Sequence, residues 1–108
     1  MYAERLLPHN PEAEEAVIGS MLIDGEAWTK ATSVLKDTDF YVSKARWCYE
    51  ACSALSSRGE GINQVTVAHE LSQQDRLEEI GGAAYLGHLV RMVPTSVHIE
   101  HYVRIVRD

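Results

Sequence analysis

Apolar residues recur along this chain at intervals of three and four and almost nowhere in strict alternation, so the elements it predicts are helices. The first is announced by its start. Asn10 stands where an N-cap is wanted, Pro11 at the first helical position, and Glu12, Glu14 and Glu15 near the positive end of the helix dipole. Ala13, Ala16, Val17, Ile18, Met21 and Leu22 then form an apolar face that ends around Asp24-Gly25. "EAWTKATSVL" gives a second, short helix, "KDTD" a turn, and Phe40-Tyr41 an aromatic pair to plug the core. From Ser43 to Arg58 the residues Ala45, Cys48, Tyr49, Ala51, Cys52 and Leu55 keep helical spacing, with Gly59 placed for a left-handed cap. Val67, Ala68 and Leu71 mark a further short helix before the polar loop "SQQD". "INQVTV" is β-branched, but it is short and runs straight into helical spacing, so the expected fold class is all-α.

The last stretch, "GGAAYLGHLVRMVPTSVHIEHYVRIVRD", predicts two helices hinged at Pro94, with no terminator at its end. The expected organisation is an arm (1–8), a globular helical bundle (9–80) and a C-terminal helical hairpin (81–108) that stops inside its second helix. On the first hairpin helix Ala83, Tyr85, Leu86, Leu89, Val90, Met92 and Val93 span about half the circumference, wider than the ~100° stripe needed to cover one core. On the second, Ile99, Tyr102, Val103 and Val106 form a narrower stripe, with Val97 and Ile105 outside it. An isolated two-helix hairpin cannot bury both faces, so Leu86, Leu89, Val90, Val93, Ile99, Tyr102, Val103, Ile105 and Val106 are the candidate surface for pairing with a second copy.

Composition removes several function classes. The 108 residues are 45% hydrophobic and 24% charged, the balance of an ordinary globular domain. A formal charge of −6 argues against a phosphate-binding surface, because backbone contacts need clustered Lys and Arg. The N-terminus lacks an apolar signal region and no ~18-residue apolar run occurs, so a cytoplasmic protein with neither export nor a membrane span is expected. Cys48 and Cys52 suit a reducing compartment as small core residues.

Chemistry is sparse. "GAAYLGHL" has the glycine spacing of a phosphate loop, but His88 and Leu89 replace the Lys and Ser/Thr that would neutralise phosphate and bind magnesium. Cys48 and Cys52 with His98 and His101 lack the tight loop spacings of zinc frameworks. Glu12, Glu14, Glu15, Glu78 and Glu79 read as caps and solubilising charge. "TVAHELSQQDRLEEIGGAAYLGHL" is helix, turn, helix, but its acidic second element would repel DNA. No catalytic, cofactor or metal residue is therefore expected.

In order and spacing, "LPHNPEAEEAVIGSML", "DFY", "YEACSALSSRGEGIN", "TVAHEL", "LEEIGGAAYLGHL" and "VPTSVHIEHYVRIV" resemble the N-terminal domain of the bacterial hexameric replicative DNA helicases, the DnaB family. Two positions depart from it: Ala45 stands where members commonly have histidine, and Asn63 where they have aspartate, which puts the polar and capping roles of those side chains in question. The resemblance implies a collar domain that is not itself the motor. A linker and a RecA-like domain would follow, carrying the ATP and magnesium sites and the helicase activity. The collar would assemble as a trimer of dimers, dock primase and offer a surface to a helicase loader. The alternative is the related helicase-binding domain of another replication protein such as primase.

Overall fold

A computed structural model describes residues 10–108, so the expected arm at 1–8 lies outside the described residues. Among the described residues there are α-helices and short 3-10 turns and no strand. They are α1 (Pro11–Ile23), α2 (Trp28–Thr32, entered through a 3-10 turn at Gly25–Ala27), α3 (Ser43–Ser57), α4 (Gln64–Gln73), α5 (Ala83–Met92) and α6 (Ile99–Arg107). The all-α expectation holds, "KDTD" closes as a 3-10 turn at Asp37–Asp39, and "INQVTV" leads into a helix.

Local signals explain most of the ends. The Asn10 side chain accepts from the Ala13 N–H at 3.0 Å, satisfying one of the orphan donors of α1. Past α3, Gly59 takes φ of +74°, and the N–H groups of Glu60 and Gly59 return to the carbonyls of Leu55 and Ser56, a paired cap that only a residue tolerant of left-handed backbone enters cheaply. Asn63 keeps the capping role at α4, accepting from the Val65 and Thr66 N–H groups at 2.9 Å while Thr66 Oγ1 accepts from the Asn63 N–H at 3.0 Å. Ala45 is fully buried in the core.

α1 is the central element. Val17, Ile18 and Met21 have no exposed surface, and α3, α5 and α6 all pack on it. Within the stretch expected as the hairpin (81–108), α5 and α6 make their main contacts with α1 of the stretch expected as the bundle (9–80), not with each other. Leu86, Leu89, Ile99 and Val103 thereby join the single core that also contains Met21, Cys52 and Leu71. The physical reason is the close approach available at Gly19, where an added Cβ would stand 2.3 Å from the Leu89 carbonyl oxygen. The aromatic pair also splits. Phe40 is buried against Tyr49, with ring centroids 4.8 Å apart, whereas Tyr41 is 51% exposed.

Candidate functional site

The candidate pairing residues divide by burial. Leu86, Leu89, Val93, Ile99 and Val103 are buried side chains within this chain. Val90, Tyr102 and Val106 are partly buried against that core, and Ile105 keeps 36% of its surface exposed. Only these four of the nine remain available at the surface. The order matches the stripe arithmetic, which set Ile105 outside and Ile99 and Val103 inside.

Tyr102 and Ile105 form one wall of a groove of about 290 Å³. The first turns of α1 supply the floor and opposite wall through Asn10, Glu12, Ala13 and Ala16, and the end of α5 closes it with Met92 and Val93. Alanines at two successive turns of α1 keep this wall low. Glu12 is the one charged residue of the lining; it is exposed and has no hydrogen-bond or ion partner among the described residues.

Of the carboxylates expected as caps and solubilising charge, Glu14 and Glu15 instead make tertiary hydrogen bonds. Glu14, two residues on, is only 1% exposed, and its oxygens accept from the backbone N–H groups of Tyr41 and Val42 at 3.1 and 2.8 Å. It therefore ties α1 to the start of α3 with charge-assisted bonds. Glu15 accepts from the Tyr85 hydroxyl at 2.7 Å, linking α1 to α5, while Lys44 Nζ lies 5.3 Å from the Tyr85 ring centroid. Burial, followed by the bond to Glu15, pushes the Tyr85 hydroxyl far above its ordinary range, so it remains a donor. No sequence signal separated Glu14 from Glu12, because the partners of Glu14 lie 27 and 28 residues away. Glu78 and Glu79 are exposed, as expected.

Cys48 and Cys52 are both buried. Burial, reinforced by Glu15, pushes the Cys48 thiol up to about 12, and burial raises Cys52 further, so both are protonated and unreactive packing groups. His98, just before α6, and His101 on it are exposed, and no cluster of three or more metal-ligating side chains forms among the described residues. A second groove, about 450 Å³, lies between α2 and α3 beside Trp28, Leu35 and Tyr49. Its Tyr49 hydroxyl donates to the Leu35 carbonyl at 2.9 Å. No helix among the described residues is long and apolar enough to cross a membrane.

The class these features define is an all-helical domain with one core, helices cross-linked by buried carboxylates and a groove at its surface. The chain belongs to the DnaB-like helicase N terminal domain family, which matches residues 6–108. It is 39% identical over 108 residues to the replicative DNA helicase DnaB of Geobacillus stearothermophilus, a match covering 100% of this chain and 24% of that protein. With the replicative DNA helicase DnaC of Bacillus subtilis (strain 168) it shares 43% identity over 105 residues, 97% of this chain and 23% of that protein. The crystal structure of the N-terminal domain of DnaB helicase from Mycobacterium tuberculosis superposes with a TM-score of 0.90 at 38% identity, covering 93% of this chain and 69% of that one. This chain thus spans about a quarter of the length of these curated relatives.

Proposed function

We propose that this chain is the assembly and docking domain of a replicative DNA helicase. It associates with further copies of itself in the collar of the ring and presents a surface to primase and to a helicase loader, while ATP hydrolysis and unwinding belong to a motor domain elsewhere in the parent. The family match across nearly the whole chain carries the reading. The structure supports it by leaving Ile105, Tyr102, Val90 and Val106 at or near the surface of an otherwise well-filled domain. An apolar groove with a polar border is the form that a protein-protein contact takes.

Sedimentation equilibrium over a range of concentrations tests the assembly part, with far-UV circular dichroism as the folding control. The wild type is expected to dimerise in a concentration-dependent way, and Ile105→Lys to weaken the dimer without loss of helix. A wild type that stays monomeric at high concentration overturns self-association by this domain. Calorimetric titration of the helicase-interacting end of the cognate primase tests the docking part. Weak binding to this chain and tighter binding to the parent ring are expected, because a shared surface raises effective concentration. Absence of binding to the ring removes primase as a partner.

A further inference from the structure

Two glycines sit inside helices of this domain for different reasons. At Gly19 backbone stands where a side chain would be. At Gly87, in the middle of α5, an added Cβ would meet, among the described residues, only Arg91 Nη1 at 3.3 Å and Gln64 Nε2 at 3.6 Å, both ends of flexible side chains. Glycine weakens a helix interior relative to alanine, and close packing does not require it here. What the missing side chain allows is the convergence of two donors over bare backbone: a guanidinium from the last turn of α5 and an amide from the first turn of α4. Arg91 is exposed and pairs with no carboxylate among the described residues, although the chain has 16 acids to 10 bases. The Gln64 amide makes no hydrogen bond among them either. On the same turn of α4, Val65 is 78% exposed, the most exposed large apolar side chain among the described residues.

We infer that this notch receives an acidic segment of a partner protein, with one carboxylate set between Arg91 and Gln64 and an apolar side chain laid on Val65. Both donor nitrogens lie within 3.6 Å of one point, so a single carboxylate reaches both by ordinary hydrogen bonds, and the planar fork of an arginine matches that acceptor. The formal charge of −6 repels an acidic segment from the rest of the surface, so Arg91 also fixes where it lands. The site shares no residue with the groove beside Ile105 and does not depend on self-association.

Heteronuclear NMR of this chain tests it, with a capped peptide of alternating leucine and aspartate as the probe and the corresponding leucine–asparagine peptide as the control. The acidic peptide is expected to give saturable shifts centred on Val65, Gly87 and Arg91. The asparagine peptide should bind about tenfold more weakly, the scale of one lost charge-assisted contact. Arg91→Gln should weaken the acidic peptide by a similar factor, and Val65→Ser by less. Gly87→Ala separates binding from folding, because its methyl group fills the notch that the carboxylate enters while favouring the helix. It should bind the acidic peptide several-fold more weakly yet melt no lower than the wild type, as followed by circular dichroism. Shifts that do not saturate or that centre elsewhere, equal binding of the two peptides, or an Arg91→Gln or Gly87→Ala variant that binds like the wild type overturns the site.

Discussion

The layer formed by α1, α5 and α6 and the corner formed by α3 and α4 are held by opposite means. In the layer, apolar side chains and a backbone approach at Gly19 join helices distant in sequence. At the corner, Asn63 caps α4, Arg58 bridges Glu60 and Glu70 at 3.0 and 2.6 Å, and Arg76 pairs with Glu50 at 2.6 Å while lying 5.2 Å from the Trp47 ring centroid. The corner is tied by polar pairs, although Val65 of α4 stays 78% exposed, whereas the layer is tied by apolar packing and leaves a groove at its edge beside Ile105.

The largest expected effect is at the centre of the layer. Gly19→Ala places a Cβ 2.3 Å from the Leu89 carbonyl oxygen and 3.1 Å from its carbon, both backbone atoms that cannot rotate aside. α1 and α5 must separate, and overpacking of this kind costs about 1–3 kcal/mol, here at the upper end because the clash is with backbone. Chemical denaturation should show that loss. A variant as stable as the wild type would show that the two helices are not held at this distance.

Next comes the link between the layer and the corner. Glu14→Gln preserves shape but turns an amide N–H₂ toward one of the two backbone N–H groups that the carboxylate satisfies. Leaving a buried donor unsatisfied costs about 1–3 kcal/mol. The same substitution at exposed Glu12 should leave monomer stability unchanged, so urea denaturation of the two variants side by side separates two glutamates that the sequence presents alike.

What the sequence revealed follows the same division. Caps, turns and stripes were legible because they are local: Asn10, Gly59 and the arc placing Ile105 outside and Ile99 inside are decided within one or two turns. Glu14, Gly19 and the docking of α5 and α6 on α1 were not, because each depends on a partner tens of residues away, and nothing beside Gly19 in sequence signals the carbonyl of Leu89. The exposure of Tyr41 was missed for a related reason, since an aromatic pair does not say which ring faces in. The groove was half legible. Its α6 wall was read from periodicity, whereas its α1 wall, including Glu12, emerged only when the helices were brought together.

The smallest effect belongs to the corner, and its dependence on pH identifies it. The Arg58 guanidinium, helped by the Gln74 amide at 2.9 Å, holds the Glu70 carboxyl below the usual carboxylate range against the opposing effect of burial. A carboxyl whose folded value is depressed contributes stability that is fully present above its unfolded value of about 4.3 and is lost as pH falls through the lower folded value. Glu70→Gln should therefore be slightly less stable than the wild type at neutral pH. The difference should shrink as the solution is acidified below about pH 4, and it should also shrink with added salt, because Arg58 is largely exposed and its attraction is screened. Urea denaturation of both proteins across that range provides the measurement. If their difference is the same at neutral and at acid pH, the Glu70 side chain acts through packing and its hydrogen bond to Gln74 rather than through its charge.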